Sequence, residues 1–233
     1  MCVYCGVNRK QSKDHIPPSS FYPRENKPRM IKVPACNSCH ESFNINERYA
    51  RSRLVLGHIV HTNNGQIAKE KLLVELKNPE WKGFLRSVIN SLKDVELVTP
   101  SGLYLGNAQA INVDYDEMHT FFSRLTRGFH YKIKDELLKS REIIYIPLNA
   151  ESLGAFLRLG IEEQMTICSI EREVSAESYN VCHHGVFHLK HKQIMLNDET
   201  YMDCFLFKFY EERQFLTIAL PNSKKLTWIE DTK

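Results

Sequence analysis

Two cysteine pairs, Cys2-Val3-Tyr4-Cys5 and Cys36-Asn37-Ser38-Cys39, bracket the dipeptide Asp14-His15, and the second pair runs directly into His40. Four thiols in two Cys-x2-Cys knuckles can close a tetrahedral site in which every ligand is a thiolate. A site with no open position is structural, and zinc is the expected metal. Asp14 and His15 offer different chemistry. A hard divalent cation such as magnesium takes carboxylate, water and phosphate oxygens. In extended chain the neighbouring imidazole projects to the opposite side, where it can take a proton from water. The plain alternative for an Asp-His pair is an aspartate capping a turn beside an exposed histidine.

The elements that must position these groups follow from the surrounding residues. Residues 1–35 hold Pro17-Pro18, Pro23, Pro28 and Pro34, so long regular elements are excluded and a metal staple is expected to compensate for the small core. From Asn37 to about Leu56 no Pro or Gly intervenes, and Phe43, Tyr49 and Leu54 recur in a loosely helical pattern. On such a helix His40 and Asn44, four apart, share a face. Arg48 and Arg51, three apart, either grip the phosphates of a nucleic acid or form a solvated face.

The order Cys-x2-Cys, Asp14-His15-Ile16-Pro17-Pro18, Cys-x2-Cys-His40 resembles the HNH endonucleases of the ββα-metal (treble-clef) group, over about residues 1–50. The resemblance implies a β-hairpin presenting Asp14-His15 opposite a helix that begins near Cys39. It implies Asp14 as the metal-binding carboxylate and His15 as the general base. His40 becomes the second ligand of a catalytic magnesium or manganese ion, and Asn44 falls where the motif ends in His or Asn. The implied activity is metal-dependent hydrolysis of phosphodiester bonds in nucleic acid, with DNA the expected substrate. One departure stands out: the family's central Asn precedes the second knuckle by several residues, and Met30-Ile31-Lys32-Val33-Pro34 contains none. Asn37 is a conceivable substitute. The rival class is a non-catalytic treble-clef module in which zinc shapes a surface that binds nucleic acid or protein. By analogy of architecture alone, a small nuclease fused to a larger domain also suits the effector of a bacterial anti-phage defence system.

Charge agrees with a polyanionic partner. The 233 residues carry a net charge of +3, unevenly spread. Residues 1–53 hold ten Lys/Arg against four Asp/Glu, +6, and the remainder holds 21 against 24, −3. Solvation of a module with little core is the alternative use of those bases. Four of the seven cysteines form the knuckles and Cys168, Cys182 and Cys204 are scattered, the usage of a reduced cytosol rather than of a disulfide framework. No signal-peptide pattern and no membrane-spanning apolar run is present, so a cytoplasmic location is expected.

The expected fold class is α+β, with an HNH module over residues 1–56 and a larger α+β domain over 57–233 that binds a protein partner, a ligand or more nucleic acid. Gly57 and Thr62-Asn63-Asn64-Gly65 signal a break. Asn78-Pro79 opens a helix predicted to reach about Leu92, and Asp114 with Glu117 opens another that Gly128 is predicted to stop. Strand patterns at Ile143 to Ile146, Val186 to His191, Met202 to Tyr210 and Phe215 to Leu220 predict an antiparallel sheet, the last two as a hairpin, with Phe205, Phe207 and Phe209 in its core. His183, His184, His188 and His191 form either a second metal site or a set of separate, partly buried imidazoles, since strand alternation divides them between two faces.

Overall fold

The computed structural model describes residues 1–23, 27–56, 62–99, 101–138, 142–148, 159–183, 185–197 and 200–221. They form a mixed α/β protein whose strand pairings are all antiparallel. Strands β1 (Ser12–Ile16) and β2 (Ile31–Ala35) make a hairpin in which Asp14 pairs with Val33 and His15 with Lys32. The chain then enters α1 (Asn37–Leu56), whose first half mixes exposed and half-buried residues and whose buried residues begin at Ala50. The hairpin and the following helix are the elements expected around Asp14-His15.

Helix α2 (Asn63–Leu76) starts inside the polar stretch read as a break: Thr62 is its N-cap, accepting from the Gly65 N–H at 3.3 Å. Gly57 lies outside the described residues. Asn78 caps as expected, but the following helix is a 3-10 turn at Pro79–Trp81 and then α3 (Lys82–Asn90). Leu92 already belongs to β3 (Leu92–Val98), which pairs only with β4 (Tyr104–Ile111) among the described residues.

Helix α4 (Tyr115–Lys134) is capped by Asp114, whose carboxylate accepts from the N–H groups of Asp116 and Glu117. Gly128 does not stop it. The helix continues to a left-handed Asp135 because Gly128 is buried at the approach of α4 to β1, where a Cβ would meet the Ile16 side chain at 3.0 Å. The glycine serves contact rather than termination.

A five-stranded sheet, ordered β5-β9-β8-β7-β6, completes the fold: β5 (Glu142–Pro147), β6 (Val181–His183), β7 (Phe187–Asn197), β8 (Thr200–Phe209) and β9 (Arg213–Leu220). Alternation splits β8 between two cores. Cys204 and Leu206 pack beneath α5 (Ile161–Ser175) with Ile167, Ile170 and Val174. Phe205, Phe207 and Phe209 face α4, where Phe122 stacks on Tyr145 at 4.8 Å and Phe129 on Phe187 at 5.5 Å. That second core is continuous with the amino-terminal segment. Ile16, Phe21, Val33 and Cys36 belong to it, Phe21 stacks on Phe121 at 5.5 Å, and the Tyr210 hydroxyl donates to the Phe21 carbonyl. The expected boundary at residue 56 marks the end of α1, not a gap in the core. No helix among the described residues is long and apolar enough to cross a membrane.

Candidate metal centre and acidic cluster

The first knuckle is shaped by its backbone. Gly6 adopts a φ of 65°, and the chain closes on itself with Gly6 N–H to Cys2 C=O at 3.0 Å and Cys2 N–H to Asn8 C=O at 2.9 Å. The second knuckle opens α1, where the His40 N–H bonds the Cys36 carbonyl at 3.0 Å, and Val3 N–H to Pro34 C=O ties the two together. As a result the Cys2, Cys5, Cys36 and Cys39 sulfurs all lie within 4.8 Å of one another. Tetrahedral zinc, with bonds of about 2.3 Å, needs sulfurs roughly 3.8 Å apart.

The donors around the sulfurs suit a metal thiolate. Backbone N–H groups of Asn8 and Val7 lower the Cys5 pKa. The Cys39 N–H and then the Asn8 amide, 3.6 Å from Sγ, hold Cys36 down to about 6. Cys39 moves upward, first through burial and then through its sulfur neighbours, a repulsion that a cation relieves. This cluster can hold a metal such as zinc, and with four protein ligands it is closed.

Behind it lies the acidic cluster. Asp14 is buried on β1. Its Oδ2 accepts from the Tyr4 hydroxyl at 2.5 Å, from Arg124 Nε at 3.1 Å and from Arg124 Nη2. Its Oδ1 accepts the His15 N–H at 2.9 Å and faces His40 Nε2 at 3.7 Å. Burial, then the positive Lys32 and Lys27, lower the pKa of the half-buried His15 imidazole, a shift toward the neutral form that can accept a proton. Asp14, His15 and His40 are therefore brought together, whereas Asn44 lies one turn further along α1 and is exposed. Asn37 stands exposed at the helix start, its N–H bonded to Gln11.

Neither Arg48 nor Arg51 projects freely from α1. Arg51 is buried, paired with Glu75 of α2 and donating to the Ser20 carbonyl at 3.1 Å, so its expected phosphate contact is corrected to a structural one. Arg48 lies over the Trp81 ring at 4.0 Å, a cation–π contact joining α1 to the segment before α3. Exposed positive charge is instead carried by Arg9, Lys10, Lys13, Lys27, Arg29 and Lys32.

Sequence reading missed Tyr4, Glu47 and Arg124. Arg124 comes from α4, its guanidinium 4.3 Å from the Phe43 ring centre and 3.9 Å from Glu47 Oε2. Burial lowers its pKa, but the charge and hydrogen bonding of Asp14 and Tyr4 together outweigh burial and the pKa is raised. Burial raises the Glu47 pKa, and Ser20 donates to its carboxyl at 2.6 Å. The later histidines have separate partners: His183 with the Tyr22 hydroxyl, His188 with Glu211 and His191 with the fully buried Asp203. His184 lies outside the described residues. Among the described residues, only the four cysteines gather three or more candidate ligand atoms in one place.

No family model, no curated protein and no solved structure matches the chain.

Proposed function

We propose that the chain is a metal-dependent endonuclease of the HNH type, hydrolysing phosphodiester bonds in nucleic acid, with DNA the expected substrate. The observation that carries this reading is the juxtaposition of Asp14 Oδ1 and His40 Nε2, 3.7 Å apart, with His15 next along β1. One carboxylate oxygen and one imidazole can hold a magnesium or manganese ion whose remaining positions belong to water and phosphate oxygens. Bound there, such an ion supplies charge neutralisation for a phosphoryl group under attack.

The chain's own residues supply the rest. His15, whose pKa is lowered, accepts a proton from the attacking water. Lys32, its cross-strand partner, and Lys27 draw a phosphate backbone toward that face. The thiolate cluster secures the loops before β1 and after β2, so the hairpin is presented in one orientation. On this reading the hairpin, the knuckles and α1 are a treble-clef arrangement.

A second reading has its own observation. Asp14 Oδ2 is occupied by three donors, as a purely structural aspartate would be. In that case the zinc module only shapes a basic surface. Incubating the full-length protein with supercoiled plasmid, with and without magnesium or manganese, separates the two. Nicked or linear product that requires the cation and is lost in His15→Ala supports the nuclease. Plasmid retained on the protein but left intact under every cation condition supports the binding module.

A further inference from the structure

Asp14 is a carboxylate with two unlike oxygens. Three side-chain donors converge on Oδ2, one from Tyr4 and two from Arg124, which fills the roughly two lone pairs that each carboxylate oxygen offers. Oδ1 receives one main-chain N–H, from His15, and its other side is turned to His40. The strand across from Asp14 cannot produce this asymmetry, because the residue in register is the apolar, buried Val33.

The structure assigns the orienting role to Arg124, assisted by Tyr4. Arg124 is a positioning residue that grips Oδ2, fixes the plane of the Asp14 carboxylate and leaves Oδ1 as the oxygen presented to a divalent cation shared with His40. The assignment rests on the reading of Asp14 and His40 as cation ligands. It gives helix α4, a hundred residues away in the chain, a direct part in the amino-terminal site.

Arg124 is itself held. Its guanidinium lies over Phe43 at 4.3 Å and within 5.4 Å of the Tyr4 ring centre, and those two rings meet edge to face at 4.9 Å. One turn further along α4, Gly128 lets the helix lie directly on Ile16, two residues beyond Asp14. Helix and strand thus meet again one turn beyond the ion pair. A lysine at 124 would keep the charge but replace the planar fork by a single ammonium, which cannot occupy both Arg124 positions on Oδ2.

Manganese binding to full-length, zinc-loaded protein tests the assignment without relying on cleavage. Thiolates suit zinc and oxygen ligands suit manganese, so a manganese signal in electron paramagnetic resonance reads the Asp14–His40 position. The wild type should bind manganese, His40→Ala should lose it, and Arg124→Lys and Tyr4→Phe should each weaken it, the arginine variant by about 10-fold or more. Each variant replaces a single side chain conservatively, and thermal melting checks that it folds. If Arg124→Lys fails to fold, Tyr4→Phe carries the test alone. In a plasmid assay Arg124→Lys and Tyr4→Phe should need more manganese to reach half-maximal rate, with the shift in half-maximal concentration larger than any change in the rate at saturation.

Variants that bind manganese as tightly as the wild type, with only a lower melting temperature, would reduce the Arg124–Asp14 pair to structural support and overturn the assignment. So would a wild type with no manganese site, or one indifferent to His40→Ala. Manganese binding that depends on His40, Arg124 and Tyr4 in a protein that cuts nothing would uphold the assignment and sink the nuclease reading instead.

Discussion

Gly128 of α4 and Ile16 of β1 touch so closely that a Cβ at position 128 would stand 3.0 Å from Ile16 Cδ1 and 3.1 Å from its Cγ2. Intrinsic helix propensity favours alanine over glycine by about 0.8–1.0 kcal/mol. Overpacking a filled core costs roughly 1–3 kcal/mol. Ile16 is fully buried beside the clamped Asp14 and has nowhere to retreat, so the clash should win. Gly128→Ala should therefore lower stability by about 1 kcal/mol in urea melts. Adding Ile16→Val removes the nearer contact, and the double variant should lose less than the sum of the two.

Replacing His15 by Ala should reduce plasmid cleavage by about 10²- to 10⁴-fold while leaving zinc content and nucleic-acid affinity nearly unchanged, because a general base acts on the transition state. Cleavage at the wild-type rate would show that another group takes the proton.

Elemental analysis should find about one zinc per chain, lost in Cys36→Ser. Stripping the metal with a chelator should leave thiolate repulsion unrelieved around Cys2, Cys5, Cys36 and Cys39 and abolish amide-exchange protection across β1 and β2. Unchanged protection in metal-free protein would contradict a stapling role.

Nucleic-acid affinity should fall steeply with salt, and Lys27→Ala and Lys32→Ala should each flatten the logarithmic slope by about 0.9. Arg51→Ala is the contrasting control. Since Arg51 is buried against Glu75, its loss should lower stability and leave the slope unaltered.

Acid should weaken the contact between Tyr22 and His183. Their hydrogen bond is 2.6 Å, and burial, then nearby His188, lowers the His183 pKa below its ordinary 6.5. The folded state thus resists a proton that the unfolded chain accepts. This contribution to stability is complete above pH 6.5 and declines as pH drops below it toward the folded pKa. Melting temperatures between about pH 5 and 8 should show an acid-side decline that is shallower in His183→Gln. Parallel curves for the two proteins would exclude His183 as a source of that decline.

What could be read from the chain was local. The thiol spacing, the Asp114 cap and the alternating Phe205, Phe207 and Phe209 each state their purpose within a few residues. Arg124 does not, because its partner lies 110 positions earlier and nothing around it differs from an ordinary amphipathic helix. Arg51 misleads for the same reason: spacing from Arg48 suggests a shared exposed face, and only the docking of α2, which brings Glu75, buries it. Gly128 shows a third limit. Helix termination and close packing both require the smallest residue, and only the position of β1 distinguishes them.

The continuity of the core from Phe21 through Phe121 to Phe209 also governs how such a chain can be inherited or rebuilt. A graft of residues 1–56 onto an unrelated protein would carry every cysteine of the cluster, Asp14, His15 and His40. It would leave behind the Arg124 guanidinium that neutralises Asp14 and the aromatic bed beneath Phe21. The two halves share one aromatic core, and a recombinant lacking an arginine at the place of Arg124 would inherit Asp14 and His40 without the guanidinium that grips Asp14 Oδ2.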